Sequence, residues 1–81
     1  MVKSIHYELL TTPSNMSELE KNKLKKLGRT IKRTRREMGM TQARLAELIG
    51  VEVSHMWRLE KGMSNMSLLT YWRLCEALFI S

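Results

Sequence analysis

Cysteine is almost missing from these 81 residues: Cys75 stands alone, so no internal disulfide can close. With only two histidines there is no Cys/His cluster of the kind that holds a structural zinc, and no metal or cofactor is expected. Long apolar runs are missing too. None exceeds four residues, against the roughly 20 that a membrane-spanning helix needs, and the first residues show no basic-then-apolar signal pattern. The expectation is a soluble, cytoplasmic protein with no membrane partner. Repeats and low-complexity tracts are absent. His6, His55, the thiol and the scattered acids form no acid–base pair, no nucleophile–base pair and no glycine loop for a phosphate, so an enzyme is not expected. A chain of this length is one small helical domain, marginally stable by itself and held by packing alone, so support from a partner subunit would be unsurprising.

Charge is present, and it is concentrated. The sum is +6, yet positions 21–36 contain nine Lys and Arg and no acid, while the other 65 residues carry five cations against eight anions. One segment makes the chain basic. Such a block is either a solvated face or a surface for a polyanion.

Ser17 followed by Glu20 has the spacing of a capping box, which places a helix start there. The first helix is expected over 17–38, with Leu24, Leu27, Ile31 and Met38 as its apolar stripe. Arg35 falls on the same stripe. A buried cation needs an anion, and Glu60 is the candidate. Gly28 interrupts the helix at a cost of about 1 kcal/mol relative to alanine, which points to close approach by another helix. Gly39, Gly50 and Gly62 each follow an apolar helical stretch, where a left-handed closing residue is favoured. A second helix is expected over 42–49, capped by Thr41 with Met40 and Leu45 as a staple, a third over about 52–61, and a fourth from Ser67. That fourth helix is expected to turn Leu68, Tyr71, Leu74, Cys75 and Leu78 inward. Before position 16 only Ile5, Tyr7 and Leu9 alternate with polar residues, a short strand signal ended by a Pro-containing turn. The extension over 1–16 is either disordered or paired, most economically with a second copy of itself.

Positions 41–61 carry the most specific pattern. Two short helices hinge at Gly50, Leu45, Ile49, Val51, Met56 and Leu59 fall inward, and Ala46 stands where a larger side chain would hold the helices apart. That is a helix-turn-helix. From Leu27 to about Ile80 the chain resembles the phage-repressor and Cro-like family of helix-turn-helix proteins, often called the Xre family. The resemblance covers about two thirds of the sequence. It is carried by Leu27-Gly28-Arg29, Arg35, Gly39-Met40-Thr41-Gln42, Leu45-Ala46, Gly50-Val51, Met56, Leu59-Glu60-Lys61-Gly62, Ser67-Leu68, Leu74 and Ala77-Leu78. It implies an all-α, compact four- to five-helix repressor-like domain over 17–81, behind the short N-terminal extension, with an internal ion pair between Arg35 and Glu60. Departures include Met66 where the family often has proline, Phe79 where it often has glycine, and an end at Ser81 where many members continue into a fifth, dimer-forming helix.

The implied partner is double-stranded DNA, and the expected function is sequence-specific transcriptional regulation, as a repressor or autoregulator. The third helix fits the major groove, with Val53, Ser54, His55, Trp57 and Arg58 toward the bases. Arg58 can bond guanine in bidentate fashion, or it contacts only phosphate or solvent. Trp57 touches DNA or lies against the protein. Thr41 and Gln42, at the start of the second helix, suit a phosphate, although for Thr41 helix capping is the first-ranked role. Arg44, Lys61 and Arg29 are further backbone candidates, and Lys32, Arg33 and Arg36 add positive field. Leu69, Trp72, Phe79 and Ile80 fall on or near the outer side of the fourth helix, and with Ile5 and Tyr7 they are the expected homodimer surface on a near-palindromic site. The alternative is an antitoxin or adaptor whose main partner is a protein, such as a toxin or RNA polymerase, with DNA binding for autoregulation. A non-specific nucleic-acid binder is the third reading.

Overall fold

The computed structural model describes residues 16–80, the side chain of Ile80 excepted. The strand reading and dimer assignment of Ile5 and Tyr7 lie outside these residues, and the dimer assignment of Ile80 falls on a side chain that is not described. Within them every element is helical: α1 (Glu18–Glu37), α2 (Gln42–Ile49), α3 (Val53–Lys61) and α4 (Leu68–Cys75), which runs into a wide π-helical turn (Glu76–Ile80).

Local chemistry sets the helix boundaries. At the start of α1 the Ser17 Oγ accepts the Glu20 N–H at 3.2 Å while the Ser17 N–H donates to Glu20 Oε1 at 2.9 Å. Two otherwise orphaned donors are satisfied, and these bonds hold the Glu20 carboxyl below its ordinary pKa. Thr41 caps α2 by accepting the Arg44 N–H at 3.0 Å, and Ser67 caps α4 by accepting the Thr70 N–H at 3.1 Å. Three helices close alike. Gly39, Gly50 and Gly62 take φ of 73°, 74° and 70°, and the next residue in each case returns its N–H to a carbonyl one turn back: Met40 to Arg35, Val51 to Ala46, Met63 to Arg58. α3 begins without a side-chain cap, at Glu52.

The core is formed by Ile31 of α1, Leu45, Ala46 and Ile49 of α2, Met56 of α3, and Leu74 and Leu78, with Leu27, Met40, Val51, Met66 and Ala77 packed around it. At 100° per residue or so, the first residue of α4 does not share a face with its buried ones: Leu68 lies about 120° around the axis from Leu74. Leu68 and Tyr71, expected inside, are 82% and 45% exposed, and Cys75 is half-buried. The π-helical turn packs against α1 and α2 and buries Leu78 there. Met38 is a second correction. The helix ends at Glu37, so Met38 leaves the register of the stripe and is exposed.

α1 lies directly on the end of α3. A Cβ on Gly28 would collide with the Glu60 carbonyl oxygen and stand 2.7 Å from that of Leu59, and one on Gly62 would stand 2.6 Å from Lys25 Cα. Both obstructions are backbone, which no rotamer change relieves. Gly28→Ala is therefore expected to destabilise, because overpacking of roughly 1–3 kcal/mol outweighs a helix-propensity gain of about 1 kcal/mol. The midpoint of urea unfolding measures it; an unchanged or higher midpoint would contradict the close approach.

Candidate nucleic-acid interface

Burial of Met56, Leu59 and Glu60 decides how α3 is turned. The opposite side carries Val53, Ser54, Trp57, Arg58 and Lys61, all exposed, while His55 is half-buried at one margin. Of the five residues expected to face bases, four therefore share an open surface and one sits at its edge. Trp57 and Lys61 occupy the margin nearest α1, with the Lys61 ammonium 5.6 Å from the Trp57 ring centroid, a cation–π contact within α3.

Beside that margin is a cleft of about 640 Å³. One wall is α1, through Lys25, Arg29, Lys32 and Arg36; the other is the start of α2, Thr41 and Gln42, together with Trp57 and Lys61 of α3. Arg35 and Glu60 also border it. Six cations thus line the space against one carboxylate, and that carboxylate is already engaged. Arg35 Nε donates to Glu60 Oε2 at 2.7 Å and Nη2 to Oε1 at 3.1 Å, with the two side chains only 8% and 3% exposed. Arg35 Nη1 donates to the Met40 carbonyl at 2.8 Å, and Gln42 Nε2 donates to Glu60 Oε1 at 2.9 Å. Both carboxylate oxygens are therefore satisfied, and the remaining cations leave a positive field that no acid in the cleft offsets.

Of the five phosphate candidates, four gather here. Arg29 and Lys61 stand in the cleft with Thr41 and Gln42, whereas Arg44 lies outside its lining and pairs with Glu47 at 2.5 Å. Two residues escaped the sequence reading. Lys25 was only one of nine in a basic block, although its spacing from Arg29, Lys32 and Arg36 in steps of four, three and four is legible as one face of a helix. Arg73 donates to the Ile49 carbonyl at the end of α2 at 3.4 Å, a cation at a helix C-terminus that only the tertiary fold creates. Among the described residues no three His, Cys, Asp or Glu gather as a metal site would require, and no helix is long and apolar enough to cross a membrane.

The family model described as a helix-turn-helix domain matches residues 26–79. The chain belongs to the helix-turn-helix family. This is consistent with the repressor- and Cro-like resemblance and supports DNA as the macromolecule the domain binds. No curated protein matches the chain significantly. In this helix-turn-helix domain the paired helices are α2 and α3, joined through Gly50 and Val51, and the first helix of the pair is tied to the second by Gln42 and Glu60.

Removing one partner of a buried ion pair strands the other. Arg35→Met should cost about 3–5 kcal/mol, whereas Arg35→Met combined with Glu60→Leu should recover much of that loss. Equilibrium denaturation of the singles and the double checks this, and a double variant no more stable than Arg35→Met would show that the two are not coupled.

Proposed function

We propose that this helix-turn-helix protein is a cytoplasmic, sequence-specific regulator of transcription that binds a near-palindromic duplex as a homodimer, represses by occupancy and carries out no catalytic step. One observation supports it above the rest. The exposed face of α3 and a cleft with uncompensated positive charge meet at Trp57 and Lys61. A helix entering the major groove by that face has the flanking phosphates on the side of the cleft.

In this reading Arg58 and Ser54 bond base edges, Val53 lies against a thymine methyl, and His55 works from the margin. Trp57 packs between the bases and the backbone. Arg29, Lys61, Thr41 and Gln42 hold phosphate; Thr41 and Gln42 do so from the start of α2, whose backbone N–H groups and dipole favour an anion. Arg44 joins them only by exchanging Glu47 for a phosphate.

The dimer reading is supported by α4. Leu69, Trp72 and Phe79 are 56%, 55% and 52% exposed, and Leu68, Trp72 and Cys75 recur at helical spacing, so an apolar surface runs along the helix into the final turn. Such a surface on a small domain is better covered than wet. The same surface is what favours the second reading, an antitoxin or adaptor that covers it with a toxin, RNA polymerase or another protein.

Selection of bound duplexes from a random pool tests the first part. Arg58→Ala should relax preference at one base pair, a loss of roughly 1–3 kcal/mol of discrimination, while Arg29→Ala weakens all sequences alike. Uniform loss in both variants would remove Arg58 from base reading. Sedimentation tests the second part: the parent should be a dimer and Trp72→Glu a folded monomer that still binds a half-site, weakly. A parent that is monomeric alone but captured by a co-expressed neighbour would favour the adaptor.

A further inference from the structure

The strongest unexplained feature is the one-sided charge of α1. Lys25, Arg29, Lys32 and Arg36 stand in a row along the wall of the cleft, and between positions 21 and 36 no acid exists to pair with them. Like charges three and four residues apart destabilise a helix, and this row contains three such neighbours. A merely solvated face would be better served by alternating signs. The repulsion is relieved when an anion lies along the row.

The shape of the row says which anion. From Lys25 to Arg36 it covers eleven residue steps, about 16 Å of helix, and faces Lys61 and Trp57 across the cleft. A compact anion would need its donors converging on a point. Four cations in file suit a linear polyanion, and a DNA strand presents a charge about every 3.4 Å along its axis, so several successive phosphates fit such a length.

We infer that the Lys25–Arg29–Lys32–Arg36 row of α1 is a track for one DNA backbone, which extends the footprint of the domain beyond the base pairs that α3 reads. This rests on the DNA reading above and assigns to Lys25, Lys32 and Arg36 contact with phosphate, where distant steering would otherwise have been their whole role. Arg35 takes no part, because Glu60 holds it.

The test is the salt dependence of binding to a long and to a trimmed duplex, both built around a selected site, for the parent and for the K25Q/K32Q/R36Q variant. Each phosphate neutralised contributes about 0.9 to the slope of log affinity against log salt. On the long duplex the variant slope should be smaller by about 2 to 3, and K25Q alone should lower it by about 1, with base preference unchanged in both. On the trimmed duplex parent and variant slopes should converge, and ethylation of flanking phosphates should interfere with the parent only. Thermal melting should find the variant at least as stable, since like charges have been removed. Equal slopes on the long duplex, with the Arg58-dependent preference intact, would overturn the track and leave α3 as the reader. Tight binding of tripolyphosphate by the parent, lost in the variant while the DNA slope stays fixed, would overturn it in favour of a small anion. A parent that binds no duplex from the pool would overturn the DNA reading itself.

Discussion

One buried carboxylate decides how the three N-terminal helices meet. Glu60, in the last turn of α3, accepts from Arg35 of α1 and from Gln42, the first residue of α2, and Arg35 uses its remaining reach on the carbonyl of Met40 between those helices. Net stability from such a pair is small, since desolvation offsets most of the attraction. Its effect is on arrangement. An alternative packing that separated Arg35 from Glu60 would leave a charge buried without a counterpart, and one that moved Gln42 or Met40 away would cost a hydrogen bond to a charged group, so the start of α2 and the end of α3 are brought to the same cleft.

Rigidity of the outer face of α3 follows from this and from packing. Helices of eight and nine residues, such as α2 and α3, are too short to persist in water alone, where about 12 to 15 residues are marginal. They hold their shape because Leu45, Ala46, Ile49, Met56 and Leu59 are almost completely buried and because glycines close both helices. The missing side chain at Gly28 lets α1 rest on the final carbonyls of α3. All the restraint is applied to one side of α3, and the opposite side is left clear.

Features governed by neighbours in sequence were the most legible. Ser17 with Glu20, Thr41, Ser67 and the three closing glycines each act within one turn, and helix limits read from them match the structure to within one residue. Gly28 was legible because a glycine inside a long helix has few reasons other than contact. Leu68 was misplaced because it stands about 120° around α4 from buried Leu74, and Tyr71, about 60° from it, falls at the edge that the neighbouring helices leave uncovered. Met38 failed at a boundary, where one residue less of helix rotates a side chain out of the stripe. The bond from Arg73 to Ile49 links positions 24 apart and leaves no local trace. For the candidate site, the residue types of α3 were readable, whereas the cleft appeared only when α1 was laid beside it.

Position around α3 also divides the work among its exposed residues. Trp57 and Arg58 are adjacent in sequence and therefore about 100° apart around the axis. Trp57 borders the cleft and shares its face with Lys61, while Arg58 lies outside that lining. On the proposed docking, the tryptophan belongs to the side where phosphates run, and a flat ring partly covered by an ammonium group has little to distinguish one base edge from another. Discrimination then falls to Arg58, Ser54 and Val53, the groups with directional bonds or a methyl-sized contact to offer. Affinity and specificity would nonetheless overlap on one face, since Val53 stands one turn before Trp57 and Ser54 two turns before Lys61, and of the three only Arg58 is turned well away from the cleft side of α3.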